Sequence, residues 1–262
     1  MTEFKKNGLV IQEKDFNEND KILTILTERY GKVPVIAKGA KSLKNRHMAS
    51  CQLFAYSSFN LRKRGNFYYI TESDLIENYY DIRTDIVKMA LASFICDVVN
   101  DVCQEQSQED SILKLALNTL YAISNELKSL EFIRSCFEIR LAYELGNAPN
   151  VECCSRCQDI NLSGAYLDLI DGVLICDKCS KNGDLSISNL EFIERGLNKP
   201  IAIVSATIIK SIQYITNSKP ERFMSFSIPN EECQLFYNVC EKFLLNQLER
   251  GYYTLDFYKT LF

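Results

Sequence analysis

The chain has 262 residues, of which 47% are hydrophobic and 24% charged, and this composition excludes disordered and fibrous proteins. No apolar run approaches the roughly 20 residues that span a bilayer, and the first residues lack the apolar segment of a secretory signal. Eleven cysteines, an odd number, argue against a secreted disulfide scaffold in a chain long enough to build its own core. We therefore expect a cytoplasmic protein that makes no membrane contact.

The net charge of -4 is unevenly distributed along the chain. Residues 1–80 contain 13 Lys and Arg against 9 Asp and Glu, whereas residues 81–262 contain 17 against 25. The 43 residues between Glu28 and Glu72 contain no acidic residue. Because such a segment attracts phosphates, its nine cations are predicted to bind nucleic acid, although a solvated rim is the alternative. They are Arg29, Lys32, Lys38, Lys41, Lys44, Arg46, Arg62, Lys63 and Arg64.

The first 80 residues contain five strand-like runs separated by turn signals, at 8–16, 21–28, 32–39, 52–63 and 67–79. A gap between the third and fourth strands is typical of the OB-fold, which we predict for residues 1–80, although an SH3-like barrel has the same periodicity. Several aromatic residues lie on the last two strands and would either stack on bases or fill the barrel core. They are Phe54, Tyr56, Phe59, Phe67, Tyr68 and Tyr69.

From residue 84 the hydrophobic period becomes helical. Helices are predicted over 84–103, 111–127, 130–146, 204–217 and 230–249, with Thr84 or Asp85 as the first N-cap. We therefore expect a multi-domain α+β protein with a helical domain in two parts, 81–148 and 185–262, interrupted by an insert at 149–184. Four cysteines within the helical patterns are interpreted as small core residues. They are Cys96, Cys103, Cys136 and Cys240.

The insert contains two C-x2-C pairs, Cys154 with Cys157 and Cys176 with Cys179, separated by 18 residues. This spacing predicts a zinc ribbon with one structural zinc ion, because four thiolates close a tetrahedral shell and leave no position for a reactive water. A two-residue hairpin at Asp171 and Gly172 would bring the two pairs together. Cys153 makes a C-x3-C with Cys157 and is the alternative to Cys154.

Other uses of these cysteines are less well supported. A thioredoxin-type redox pair begins a helix, and no helical pattern follows either C-x2-C. A catalytic cysteine requires a nearby base, and the only histidine, His47, lies in the basic segment. The chain also lacks nucleotide-binding and metalloprotease motifs, so we predict no catalytic residues and no enzyme activity.

Three features together resemble the bacterial RecO DNA repair proteins over nearly the whole chain: the basic loop AKGAKSLKNR at 37–46, the helical body, and the C-x2-C that follows ELGNAP at 144–149. The resemblance implies a non-enzymatic recombination mediator that binds single- and double-stranded DNA and anneals complementary strands. It implies RecR and single-strand binding protein as partners, with RecA loaded indirectly, and a nucleoid-associated location. By the same resemblance, DNA lies on the OB-fold, Lys38, Lys41, Lys44 and Arg46 belong to its basic loop, and the paired cysteines bind zinc.

A competing interpretation is an RNA-binding factor or a protein-interaction adaptor, because an OB-fold binds either nucleic acid through phosphates and stackable bases. A zinc-containing nuclease is disfavoured, because no pair of carboxylates stands out as acid and base. Arg134 and Arg140, in the third predicted helix, are weak candidates for binding the acidic tail of single-strand binding protein, since charges on helix surfaces are usually solvated.

Overall fold

The structure, a computed structural model, describes residues 3–65, 67–105, 107–108, 110–181 and 201–262. It consists of two compact units. The first comprises Met1–Lys128 and Tyr252–Phe262, and the second comprises Ser129–Gly251. The boundaries of these units differ from those of the predicted segments, because the first helices and the last helix group with the barrel. The predicted segments are 1–80, 81–148, 149–184 and 185–262.

The described part of the chain contains strands and helices in a mixed α+β order. The strands are β1 (Glu3–Phe16), β2 (Asp20–Thr27), β3 (Gly31–Ala37), β4 (Tyr56–Arg64), β5 (Phe67–Glu77), β6 (Asn150–Cys154), β7 (Gly164–Asp168), β8 (Val173–Cys176) and β9 (Ile201–Ser205). The helices are α1 (Tyr80–Thr84), α2 (Ile86–Val102), α3 (Asp110–Ser124), α4 (Leu130–Glu144), α5 (Asp177–Lys181), α6 (Ala206–Asn217), α7 (Asn230–Gln247) and α8 (Tyr253–Lys259). None of these helices is both long and apolar enough to cross a membrane.

Strands β1 to β5 form a closed barrel in the order β1-β2-β3-β5-β4, which confirms the predicted OB-like fold. The pairing of β3 with β5 is parallel, and the other neighbours in the barrel are antiparallel. This order requires a long connection between β3 and β4, and the basic loop lies within that connection. A short 3-10 helix, Ala49–Cys51, ends near β4.

The barrel interior is filled by alternate residues of each strand, as a half-buried strand pattern predicts. Leu23 and Ile25 of β2 point inward, as do Val33 and Val35 of β3, and all four are fully buried. Each such side chain contributes about 1.5 to 3 kcal/mol relative to an exposed one. This packing fixes which side chains of β4 and β5 face outward.

Glycine at position 31 is required by the turn between β2 and β3. Its φ is +64°, and a Cβ there would lie 2.3 Å from the carbonyl oxygen of Gln104. The next residue, Lys32, donates its backbone N–H to the same carbonyl oxygen at 3.1 Å. The turn is therefore packed directly against the segment that follows α2.

The predicted N-cap of the first long helix is confirmed at Asp85, whose carboxylate accepts the backbone N–H of Val87 and Lys88. The C-terminal helix α8 was not predicted. It packs on α2, where Tyr252 donates to the Asp101 carboxylate at 2.8 Å and Thr254 donates to Asp97 at 3.0 Å. The helix has only seven residues, too few for a helical period to stand out in the sequence.

The second unit combines α4, α6 and α7 with a four-stranded sheet of order β6-β8-β7-β9. Strand β9 was not predicted, because the alternating run IAIVS at 201–205 directly precedes a helix. The predicted helix at 204–217 begins instead at Ala206, with Ser205 accepting the backbone N–H of Ile208. Since β9 pairs with β7, the sheet extends beyond the predicted insert at 149–184.

Arg134 and Arg140 are buried inside the second unit, contrary to the expectation that they lie on a helix surface. Arg134 pairs with Glu131, Glu138 and Glu241 at 2.6 to 2.8 Å. Arg140 pairs with Glu144 at 2.8 Å and donates to the carbonyl oxygens of Ile215 and Ser218. Both guanidinium groups therefore hold α4 to its neighbours, and neither is available to an acidic tail.

Glu138 lies in this network with one carboxyl oxygen that has no hydrogen-bond partner among the described residues. Burial raises the pKa of this carboxyl to about 8, against the lowering effect of Arg134 and with the added repulsion of Glu241. The folded state thus holds a proton that the unfolded state releases near pH 4.5. Stability from this group is present at low pH and is lost as the pH rises towards 8.

Glu138→Gln is therefore expected to flatten the pH dependence of stability. The wild type should lose up to about 1.4 kcal/mol of unfolding free energy per pH unit through this interval, whereas the amide cannot ionise and keeps its acceptor for Arg134. Midpoints of urea unfolding at pH 6 and pH 8 measure the difference. Equal pH dependence in both proteins would mean that Glu138 is ionised throughout.

Candidate nucleic-acid interface and metal centre

The four cysteines of the two C-x2-C pairs come together in the second unit. The sulfur atoms of Cys154, Cys157, Cys176 and Cys179 all lie within 4.8 Å of one another. The Sγ atoms of Cys157 and Cys176 are 3.7 Å apart. A tetrahedral ion with metal–sulfur bonds of about 2.3 Å places its sulfurs about 3.8 Å apart. The donor set and its spacing therefore fit a closed four-thiolate site.

The first cysteine pair is shaped by the end of β6. Cys154 is buried, and its Sγ accepts the backbone N–H of Cys176 at 3.3 Å. The turn closes where Gln158 donates its N–H to the Cys154 carbonyl oxygen at 2.9 Å with φ of +62°. This is the left-handed conformation for which glycine is usual, and glutamine adopts it here. Cys153 lies outside the cluster, with its sulfur on the Gln158 side chain.

The electrostatics of the cluster favour a bound cation. Burial raises the pKa of Cys154, but backbone N–H groups of Cys157, Cys176 and Arg156 point at its sulfur, and the net pKa is about 6. Hydrogen bonds with Cys157 and Cys176 raise the pKa of Cys179 to about 12. The Cys179 thiol therefore keeps its proton at neutral pH in the absence of a cation, whereas a divalent cation stabilises four thiolates. The cluster can therefore hold a metal ion.

Two details of the cysteine region differ from the sequence predictions. Helix α5 begins directly after Cys176 and contains Cys179, so the second pair lies at the start of a helix that the sequence did not predict. The sulfurs of that pair nevertheless face those of the first pair, which distinguishes this cluster from an isolated redox pair. The connection between β7 and β8 has four residues, Leu169 to Gly172, and is longer than the predicted two-residue hairpin because Asp168 accepts two backbone N–H groups within it.

Five of the nine predicted cations surround the first half of β5. The Lys38 ammonium and the Arg64 guanidinium lie 5.7 and 5.8 Å from the centre of the Tyr69 ring. The Lys63 ammonium lies 5.6 Å from the Tyr68 ring. We call this surface the Tyr69 patch, and its members are Lys38, Arg46, Arg62, Arg64, Phe67 and Tyr69. Lys63 lies beside it, opposite Tyr68 in the pairing of β4 with β5. It joins the loop after β3 to the turn between β4 and β5.

Arg46 is held at the edge of the patch by His47. Its Nε donates to His47 Nε2 at 3.0 Å, and its Nη2 donates to the Thr71 carbonyl oxygen. Because Nε2 accepts, Nδ1 carries the proton and donates to the Ser73 hydroxyl at 2.7 Å. Burial and the neighbouring Arg46 lower the pKa of His47, which keeps the imidazole neutral, although Glu72 and Asp74 oppose the shift.

The remaining four predicted cations lie apart from the Tyr69 patch or are engaged elsewhere. Lys41 pairs with Asp15 at 3.1 Å, and Lys44 is exposed in the basic loop. Lys32 donates to the Asn100 carbonyl oxygen at the end of α2, and the backbone of Arg29 donates to Asp110. These last two residues lie at the start of β3 and Lys38 follows its end, a separation of about 20 Å along the strand.

The aromatic residues divide between core and surface. Phe54, Phe59 and Tyr68 are buried, so the structure assigns them to the core. Tyr56 donates to the Glu28 carboxylate at 2.8 Å. Phe67 and Tyr69 face outward on β5, and both belong to the patch.

Sequence reasoning missed one acidic member of this surface. Glu3 pairs with Arg62 at 3.5 Å and accepts from the Thr71 hydroxyl at 2.8 Å. The hydrogen bond from Thr71 and the charge of Arg62 lower the pKa of Glu3. Glu3 lies opposite Arg62 in the pairing of β1 with β4, and only this register reveals the contact. Arg62 is consequently less available than Lys38 or Arg64.

Comparison with known proteins identifies the family. The domain described as Recombination protein O N terminal matches residues 1–79, and Recombination protein O C terminal matches residues 83–191. The DNA repair protein RecO of Acetivibrio thermocellus is 33% identical over 261 residues, covering 100% of this chain and 98% of that protein. The protein of the same name from Caldicellulosiruptor saccharolyticus is 30% identical over 215 residues, covering 82% of this chain and 85% of its own. The chain therefore belongs to the RecO family of DNA repair proteins.

Proposed function

We propose that this chain is a recombination mediator of DNA repair that binds single- and double-stranded DNA through the Tyr69 patch and anneals complementary strands. Membership of the RecO family supports the general role in DNA repair. The observation that supports the finer role is the pair of cations, Lys38 and Arg64, that flank one outward aromatic ring. Cations for phosphates beside an aromatic face for bases form the usual surface for single strands.

Annealing by this surface needs only charge neutralisation. Two complementary strands repel each other through their phosphates, and cations that neutralise some of those phosphates lower the repulsion. Phosphate contacts carry no sequence information, so base pairing between the strands selects the partner. The exposed Lys44 extends the positively charged surface along the basic loop. Lys41 and Lys32, whose ammonium groups contact the protein itself, are proposed to contribute less. Arg29 is also proposed to contribute less, because it precedes the far end of β3.

We propose that the protein acts without catalysis. The only histidine has both ring nitrogens in hydrogen bonds, to Arg46 and to Ser73, and its lowered pKa follows from burial. The cysteine cluster, once filled, has no open position for a reactive water. We propose that it holds one structural zinc ion, since four thiolates are the ligand set that zinc prefers in such sites.

The proposed partners are RecR and single-strand binding protein, with RecA loaded indirectly, in a cytoplasmic, nucleoid-associated setting. Arg134 and Arg140 are excluded as contacts for the acidic tail because both are buried. An RNA-binding role would use the same patch, and parallel assays on RNA separate the two.

A strand-annealing assay tests the proposal. One DNA strand carries a fluorophore and its complement a quencher, and the protein is expected to raise the second-order annealing rate severalfold, with the acceleration falling as salt rises. A matched RNA pair runs in parallel, and intact strands are checked on a denaturing gel. If strands that are demonstrably bound anneal no faster than free strands, the mediator role is wrong and an adaptor role gains support.

A further inference from the structure

Tyr69 is the residue of the patch that is placed to recognise an unpaired base. Its neighbour Tyr68 points into the barrel, where its hydroxyl contacts the Tyr30 hydroxyl at 3.1 Å and its ring meets Phe4 edge-on. Because successive residues of a strand point to opposite faces, Tyr69 faces outward. Of these two consecutive tyrosines, Tyr68 therefore lies in the core and Tyr69 on the outer face of the barrel.

The backbone of Tyr69 is held by strands on both sides. It lies opposite Ile36 in the parallel pairing of β3 with β5 and opposite Arg62 in the antiparallel pairing of β4 with β5. Both neighbours belong to the closed barrel. A ring on such a strand is positioned before any ligand arrives, which lowers the entropy cost of stacking.

The two cations at the ring come from different elements. Lys38 begins the basic loop after β3, and Arg64 ends β4, so the ring lies between two charges that the fold brings together. Both side chains are exposed. Tyr69 is half-buried, and the cations on its ring are exposed and therefore held weakly, so each is free to move onto a phosphate when a base takes its place on the ring.

We infer that Tyr69 stacks on a base of single-stranded nucleic acid while Lys38 and Arg64 neutralise the flanking phosphates, and that this contact makes the patch prefer single strands to duplex. The inference rests on the proposed binding of DNA at the patch. In a duplex each base is already stacked on its neighbours and has no free face for the ring. Duplex therefore gains only the phosphate contacts, which both forms share.

Tyr69→Ala is expected to weaken binding of a single-stranded oligonucleotide by about 5- to 150-fold, the range produced by loss of one base–aromatic stack. Its affinity for duplex and its salt dependence should stay within twofold of the wild type. Tyr69→Phe keeps the ring and should bind like the wild type. Tyr121→Ala removes an exposed tyrosine of the first unit that lies outside the patch, and it serves as the control. Thermal unfolding of each variant checks the fold.

The measurement is fluorescence anisotropy with both forms of DNA, together with the fluorescence of a strand containing 2-aminopurine, which reports stacking directly. Equal losses for single strand and duplex, or no loss for either, would overturn the inference while leaving DNA binding by the cations intact. If the wild type binds neither form, the proposed function itself fails, and the stacking role fails with it.

Discussion

Replacing Cys154 with serine is expected to abolish stoichiometric zinc binding and to unfold the sheet of the second unit. Cys154 is fully buried, and it ends the strand that pairs with β8. The sheet is built from strands of only four or five residues. A structural zinc ion in small peptides supplies apparent binding energies of about 10 to 16 kcal/mol at neutral pH, enough to decide whether such a sheet forms.

Cys153→Ser is the matched control, because its sulfur contacts Gln158 and lies outside the cluster. Zinc content by elemental analysis should be one ion per chain in the wild type and the control, and well below one in Cys154→Ser. Thermal unfolding should show a transition at lower temperature in Cys154→Ser and in the wild type treated with a strong chelator. Unchanged zinc content in Cys154→Ser, or its loss in Cys153→Ser, would contradict the assigned ligand set.

The cysteine cluster and the barrel could be predicted because their signals are local. Two C-x2-C pairs at this separation need only a turn to aim each pair at one ion, and the structure places all four sulfurs together. The barrel strands show an alternation that depends only on their own residues. The turn after the first pair adopts its left-handed conformation with Gln158 in place of a glycine.

The rest of the surface could not be predicted because it depends on strand register and tertiary packing. Nothing in the sequence distinguishes Tyr68, which lies in the core, from Tyr69, which faces outward. Glu3 reaches the patch through the register of β1 with β4, over 50 residues away in sequence. The acid-free stretch predicts one group of binding cations, but the fold separates Lys38 from Lys32, which caps a helix at the other end of the same strand.

The burial of the two arginines of α4 could not be predicted either, because it also depends on tertiary packing. Charged residues such as Arg134 and Arg140 are usually found on the solvated face of a helix. Because both lie on the buried side, α4 shows only weak amphipathicity. One carboxylate partner of Arg134, Glu241, comes from α7, more than 100 residues later. Helical periodicity cannot reveal that a charged side chain will be enclosed by a partner so distant in the chain.

Charge reversal at three cations of the Tyr69 patch should remove most DNA binding. In the variant Lys38→Glu, Arg46→Glu and Arg64→Glu, three phosphate contacts are lost and three repulsive charges are added. Each contact with a single strand contributes about 0.7 to the slope of log affinity against log salt, so the slope should fall by about 2. Affinity near 0.1 M salt should fall by at least about 100-fold. All three side chains are exposed, so the fold should tolerate the changes.

A control of equal charge separates the patch from the net charge of the protein. The control variant changes the net charge by the same amount at three exposed lysines outside the patch. Its substitutions are Lys14→Glu, Lys114→Glu and Lys210→Glu. General electrostatic attraction would weaken both triple variants alike. A specific surface would spare the control, which should bind within about threefold of the wild type.

The most direct test is fluorescence anisotropy of a labelled single-stranded oligonucleotide, titrated with the wild type and both triple variants at several salt concentrations. We predict a steep salt dependence for the wild type and the control, and weak binding with a shallower slope for the patch variant. Equal slopes and affinities in all three proteins would show that DNA binds elsewhere, and the Tyr69 patch would then have no role in DNA repair.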